Sequence, residues 1–138
     1  MTSISDARIK HLELIQSVIN RLVDSNGSHK NYCITLVTAV CGLAASLHRP
    51  IVALLALVPV IIFAILDAQY LRLERRYRLL YEEVRCEPAE QQVDFRLSIA
   101  GIGAVSFLDA LCSWSISVFY LPTGLGIGVV AAALHLFP

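Results

Sequence analysis

The residues of this chain that could carry chemistry are a few charged or hydroxyl side chains set among long uncharged stretches. Asp67 and Asp109 lie within or beside apolar sequence, where an acidic group is costly unless it is paired or hydrated. Both are candidates for a pore or gate. The simpler alternatives are an ion pair for Asp67, with Arg72 or a neighbouring helix, and exposure to water for Asp109. Thr35 and Thr38 are further candidates because their hydroxyls could line an aqueous path.

A belt of arginines follows Asp67 over little more than three helical turns, and it has two interpretations. The basic side chains could anchor to anionic lipid headgroups, each contributing roughly 1 kcal/mol near the surface. Alternatively, they could bind a polyanion such as a nucleotide or an oligonucleotide. Adjacent side chains on a helix point about 100° apart, so several subunits would have to share such a ligand. The belt consists of Arg72, Arg75, Arg76, Arg78 and Arg85.

The sequence contains no recognisable catalytic or metal-binding pattern. Its four histidines are scattered, and no metalloprotease, serine-hydrolase or phosphate-loop motif occurs. Its four cysteines include no C-x-x-C pair, and three of them lie in or beside apolar segments, where cysteine behaves as a small buried hydrophobe. We therefore expect a protein that is not an enzyme and that holds no metal or cofactor.

The composition predicts an integral membrane protein. Of 138 residues, 57% are hydrophobic and only 16% are charged, whereas soluble domains have about a quarter charged residues. Arg49 is the only charged residue within Asn31–Leu66, and Asp109 is the only one within Leu97–Pro138. A soluble protein of this size would have to bury both stretches and has too little polar sequence to cover them.

The apolar stretches predict an all-α membrane protein with three spans, or four. Residues 31–67 form a transmembrane hairpin that turns at His48–Pro50, and Pro59 should kink its second helix. Trp114–Phe137 forms the C-terminal span, with aromatic residues near its start. The segment Leu97–Ser113 is predicted to be an interfacial helix, with a re-entrant piece or a fourth span as the alternatives.

Two amphipathic helices adjoin the hairpin on one side. Apolar residues recur at helical spacing from Ser5 to Asp24, and turn-forming residues at Ser25–Ser28 should end this helix. The second span should continue to about Arg85, because its apolar residues form a heptad seam typical of a coiled coil. That seam consists of Leu66, Tyr70, Leu73, Tyr77, Leu80 and Val84, and the N-terminal stripe is its expected partner. The chain thus divides into residues 1–30, 31–67, 68–96 and 97–138.

The basic residues predict the orientation. A hairpin places ten of the eleven Lys and Arg residues on one side of the membrane and only Arg49 on the other. Cytoplasmic loops carry the excess of such residues, so the N-terminus and residues 68–96 are expected in the cytoplasm, beneath a bacterial inner membrane.

Small residues predict where helices approach each other closely. Gly124 and Gly128 form a G-x-x-x-G pair in the last span, and Gly42 shares a face with Thr38 in the first. Such faces indicate helix contact without identifying the partner.

Several segments give the chain a resemblance to a known family. It resembles small multi-span membrane effectors of bacterial antiphage defence systems, such as the HalB-like subunit of Hailong, over roughly Arg8 to Arg85. The residues that carry the similarity are Val18–Arg21, Thr35–Ala39, Pro59, Leu66–Arg75 and Tyr77–Tyr81. The C-terminal third shares only Phe119–Pro122, and the chain departs from the pattern at Lys30–Tyr32 and in the more apolar Leu97–Phe107.

The resemblance implies an oligomeric ion channel or pore. Its partners would be membrane lipid, further copies of itself in a tetramer or larger ring, and a nucleotide or oligonucleotide made by a partner enzyme. The residues alone leave another function open, that of a non-conducting membrane anchor or scaffold that recruits a cytoplasmic partner through the heptad seam.

Overall fold

The computed structural model describes residues 6–88 and 92–136, which contain helices and irregular segments and no strand. The predicted helix start at Ser5, part of the predicted Cys86–Gln92 loop and the predicted end of the last span at Phe137 lie outside the described residues. The helices are α1 (Asp6–Leu47), α2 (Pro50–Leu54), α3 (Leu57–Cys86), α4 (Phe107–Leu111) and α5 (Trp114–Leu136).

Three helical stretches are long and apolar enough to cross a membrane: Asp6–Leu47, Pro50–Cys86 and Trp114–Leu136. The all-helical class and the presence of three such helices are therefore confirmed. At 42 and 30 residues, α1 and α3 are longer than the about 20 residues needed to cross the hydrocarbon of a bilayer. We call their more polar parts the stalk, consisting of residues 6–28 of α1 and residues 69–86 of α3.

Helix α1 runs without a break through the turn predicted at Ser25–Ser28, so that prediction is wrong. The Ser25 hydroxyl donates to the Arg21 carbonyl at 2.9 Å, and the Ser28 hydroxyl donates to the Asp24 carbonyl at 3.1 Å. Serines that bond four residues back in this way satisfy their hydroxyls within a helix. Residues on both sides of this segment pack against other helices, and these contacts override the weak local preference for a turn.

The returning half of the hairpin is divided into α2 and α3. The turn that precedes it contains His48, which has a left-handed backbone (φ 50°). Pro59 lies in the first turn of α3, where its missing N–H needs no partner. In place of the predicted kink at Pro59, the helix is interrupted one turn earlier, at Leu55–Ala56. The Leu55 carbonyl accepts a 3.1 Å hydrogen bond from the Val58 N–H across this break.

The prediction of an interfacial helix over Leu97–Ser113 is wrong for most of that segment. Residues 92–106 form no helix, and only the five residues of α4 are helical before α5. Gly101 and Gly103 fall in this segment, and glycine lowers helix stability by about 1 kcal/mol relative to alanine. We call residues 97–106 the strap, because arginine side chains of α3 bind its carbonyls.

Buried side chains form three clusters along the length of the molecule. The stalk cluster joins α1 to α3 and comprises Ile15, Ile19, Leu80 and Val84. The central cluster joins α1, α3, α4 and α5 around Cys33, Ala68, Ala110 and Tyr120. The third cluster lies at the other end, where small side chains let helices approach closely, and comprises Ala44, Ala53 and Ala131.

The predicted heptad seam packs in only one half. Leu80 and Val84 are buried against Ile15 and Ile19, whereas Leu66 and Leu73 are more than a third exposed. In the half of the seam that contains Leu66 and Leu73, α3 buries a different face, which carries Asp67, Ala68 and Glu74.

Buried polar contacts fix the start of α1 against the end of α3. The Arg8 guanidinium donates to the Glu87 carbonyl at 2.8 Å and to the Pro88 carbonyl at 2.6 Å. His11 Nε2 lies 3.1 Å from the Arg96 carbonyl oxygen. Both ends of the stalk are therefore held, one by these contacts and the other by the helices that continue into the spans.

Candidate functional site

Asp67 is the most enclosed charged side chain of the described chain, with none of its surface exposed. The Tyr120 hydroxyl donates to Asp67 Oδ2 at 2.7 Å. His29 Nδ1 lies 3.2 Å from Asp67 Oδ1. Each carboxylate oxygen thus has one side-chain partner, and we call these three residues the Asp67 junction.

Each residue of the junction comes from a different long helix. Asp67 lies on α3 two residues before the stalk begins, and His29 lies on α1 two residues before the uncharged stretch that begins at Asn31. Helix α5 starts at the same level, because Lys30 Nζ donates to Ser115 Oγ at 3.0 Å. This start brings Tyr120 beside α3, so that one carboxylate links all three long helices.

Aromatic rings hold the imidazole of His29 in place. Its ring meets the edge of Tyr70 at a centroid distance of 4.9 Å, and the Phe63 ring lies 6.0 Å away. The His29 side chain keeps 18% of its surface exposed, while Asp67 has none. Of these two groups, only the imidazole reaches the surface of the protomer.

The junction is suited to hydrogen bonding and proton exchange. Its polar groups are a carboxylate, an imidazole and a phenol, which can together accept, hold and donate protons. No group of three or more histidine, cysteine or acidic side chains suited to a metal ion occurs in the part of the chain that the structure describes.

Two arginines of the belt bind the strap. Arg72 Nε donates to the Val105 carbonyl at 2.8 Å, and the Arg76 guanidinium donates to the Ile99 carbonyl. The ion pair between Asp67 and Arg72 that the sequence suggested is therefore not formed. Arg76 Nε is buried and has no hydrogen-bond partner among the described residues.

Two of the other three arginines of the belt form ion pairs, and the third, Arg75, is partly buried. Arg78 pairs with Glu74 at 2.8 Å, and Arg85 pairs with Glu82 at 2.7 Å. Arg75 makes no hydrogen bond or ion pair with any other described residue.

The remaining predicted site residues lie away from the junction. Thr35 and Thr38 are exposed on α1, and the Thr35 hydroxyl bonds back to the Asn31 carbonyl at 2.9 Å. Asp109 is exposed on α4. A methyl group added at any of the three predicted packing glycines would meet no neighbouring atom within 4 Å, so these faces are not used within the protomer; they are Gly42, Gly124 and Gly128.

Sequence reasoning found Asp67 but missed its partners. His29 and Tyr120 are 38 and 53 positions away from it, and neither belongs to a motif. One signal was present, since His29 lies two residues before the predicted first span and Tyr120 lies near the start of the predicted last span. The predicted topology placed both at the same membrane level as Asp67.

Comparisons with protein-family models, with curated proteins and with solved structures find no match to this chain. The features that bear on its function are therefore those of the chain itself: three apolar helices, an arginine-bound strap and a buried carboxylate that links the three helices.

Proposed function

We propose that this protein is an oligomeric effector that forms a gated ion channel in the bacterial inner membrane, as part of antiphage defence. The observation that carries the proposal is helical continuity. Helix α1 runs for 42 residues and α3 for 30 residues, each through both stalk and span. A displacement of the stalk therefore displaces the spans, as in other switches built from rigid helices.

Several copies are needed for a conducting path. In the most apolar part of each candidate span, fewer than a third of the residues are buried within the protomer. The remaining surface is available to lipid or to other copies, and four or more copies in a ring would place a path between protomers. Thr35 and Thr38, on the exposed face of α1, are the candidates to line it.

The proposed trigger is a nucleotide or oligonucleotide supplied by a partner enzyme and bound by the arginine belt. Arg72 and Arg76 now bind neutral carbonyls of the strap, and a phosphate is a stronger acceptor than a carbonyl. A polyanion that takes these donors frees the strap, which leads directly into α4 and α5. The ligand shifts the balance between closed and open states only if it binds one of them more tightly.

The test is ion flux from liposomes that contain the purified full-length chain. A panel of mono-, di- and oligonucleotides serves as the probe, and we expect at least one of them to change the flux. Arg75→Glu combined with Arg76→Glu should raise the nucleotide concentration needed for half-maximal response at least ~10-fold, because hydrogen bonds to charged groups are worth about 1.5–3 kcal/mol.

Arg49→Glu is the matched control, since Arg49 is the basic residue at the opposite end of the spans. It should leave the nucleotide response unchanged. No flux with any probe would refute the channel, and a response that survives charge reversal at the belt would refute the belt as sensor.

A second candidate function, a non-conducting membrane anchor, is favoured by a groove on the stalk. The groove has a volume of about 390 Å³, and its lining includes Ile9, Leu12 and Tyr81. Ile9 is 44% exposed, so an apolar surface faces the water beside the membrane. An anchor should be a monomer or dimer in mild detergent and carry no current, whereas the channel should be a ring of four or more copies.

A further inference from the structure

We propose that the Asp67 junction binds a proton taken from water on the stalk side, and that this proton sets how firmly the three spans pack together. Because this proton acts on helix packing and not on conduction, its effect can be present or absent whether or not the protein is a channel. The position, contacts and exposure of three side chains support it.

The charge of Asp67 lies in an apolar site without a permanent counter-charge. With Asp67 ionised and His29 neutral, the junction holds one net negative charge among the buried residues of the central cluster. Burying such a charge without a counter-charge is unfavourable, and a group in this position tends to be neutralised. One added proton, shared across the 3.2 Å contact between the imidazole and the carboxylate, makes the pair neutral overall.

Of the three junction side chains, that of His29 is the most accessible to water. Asp67 has no exposed surface, Tyr120 keeps 6% of its surface exposed, and the His29 side chain keeps 18%. Water can therefore deliver a proton to His29 and not directly to the carboxylate. Its Nδ1 faces Asp67, so Nε2 is the nitrogen left to exchange protons with water, and the rings of Tyr70 and Phe63 hold this orientation.

Among the described side chains, only His29 makes an ion-pair contact with Asp67. The nearest basic residues along the chain are bonded elsewhere, Lys30 to Ser115 and Arg72 to the Val105 carbonyl. From α1, Asp67 is faced by His29 and by Cys33, whose buried thiol lies within electrostatic range. From α5 it is faced by Tyr120, which already donates its hydroxyl proton to the carboxylate. Thiols and phenols are ordinarily neutral near pH 7, so among these groups the imidazole and the carboxylate together determine the net charge.

The direction of the pH effect follows from linkage. A hydrated imidazole is mostly neutral above about pH 6.5, so in that range a proton held by the packed pair is released when the helices separate. The packed state thus binds more protons than the unpacked state, and its stability falls as pH rises through the interval in which the pair loses its proton. Below that interval the neutral pair stabilises the contact between α1, α3 and α5.

The test compares thermal unfolding of four full-length proteins in the same detergent micelles, followed by circular dichroism across about pH 5 to 8. They are the wild type, His29→Gln, Asp67→Asn and the control His135→Gln, whose side chain is exposed near the other end of α5. The readout is the difference in Tm between the wild type and each variant at each pH, which removes the contribution of other groups such as His11.

We expect the wild type to exceed His29→Gln and Asp67→Asn in Tm at the acid end of the series. Both differences should shrink or reverse as pH rises, while the difference from His135→Gln stays constant. A difference that does not change with pH for either junction variant overturns the proposal. If a junction variant fails to fold, nitrogen NMR of the imidazoles in the wild type replaces it. Loss of the His29 proton over the same pH interval as the fall in Tm supports the proposal. A His29 that keeps one protonation state while Tm falls overturns it.

Discussion

At the scale of single residues, the contact between Asp67 and Tyr120 makes the sharpest prediction about stability. The phenol is the only hydroxyl bound to this carboxylate among the described residues, and the oxygen it serves has no access to water. Hydrogen bonds to charged groups contribute about 1.5–3 kcal/mol, so Tyr120→Phe should lower the free energy of unfolding by about that amount. Tyr32→Phe makes the same chemical change at a side chain that is 61% exposed, and it should cost less than about 0.5 kcal/mol.

Unfolding in detergent by added SDS, followed by circular dichroism, measures both values. Similar losses in the two variants would mean that the phenol of Tyr120 contributes nothing specific to the junction.

The same residues show how far a sequence can define a buried site. Asp67 was identifiable because a charge between two apolar stretches is rare and costly. His29 and Tyr120 were not, because periodicity tells which face of its own helix a residue occupies and not which other helix that face meets. The arginine belt was likewise recognisable by charge, but its bonds to Val105 and Ile99 depend on a strap whose path no periodic pattern records.

At the scale of elements, α1 shows where local preference loses to packing. Serine, asparagine and glycine at residues 25–28 predicted a turn, and the chain is helical there. The prediction considered four residues, whereas the outcome depends on the whole helix, which is held by Ile15 and Ile19 on one side and by Cys33 and Val37 on the other. The three apolar helices themselves were predictable, because uncharged apolar stretches of this length rarely form any structure other than a membrane-spanning helix.

Gly27 gives a direct test of this continuity. A methyl group at Gly27 would meet no neighbouring atom within 4 Å, and its backbone is that of a helix interior. Gly27→Ala should therefore raise the free energy of unfolding by about 0.5–1 kcal/mol, measured by the same SDS titration. Gly101→Ala is the control, because Gly101 lies in the non-helical strap and gains no helix stability. A loss of stability on Gly27→Ala would indicate the turn that the sequence suggested.

At the scale of the whole molecule, the chain is a thin bundle with a polar stalk at one end. Large apolar side chains are exposed along all three candidate spans, among them Leu43, Ile61 and Leu125, so a membrane or further copies must cover them. The stalk end carries nearly all the basic residues, and the hairpin turn at the other end carries only Arg49. Because basic residues concentrate on the cytoplasmic side of bacterial membrane proteins, this asymmetry predicts that the stalk lies in the cytoplasm and the hairpin turn outside.

Cysteine labelling in bacterial cells tests that orientation. One variant keeps only Cys86, which is exposed at the end of the stalk, and the second has no native cysteine but carries His48→Cys at the hairpin turn. A membrane-impermeant maleimide should label the second variant in intact cells and leave Cys86 unlabelled until the membrane is opened. The reverse pattern would invert the protein, with the stalk outside the cell. Labelling of both sites in intact cells would place stalk and turn on one side, which excludes a hairpin that crosses the membrane and, with it, every proposal that needs Asp67 to link three spans.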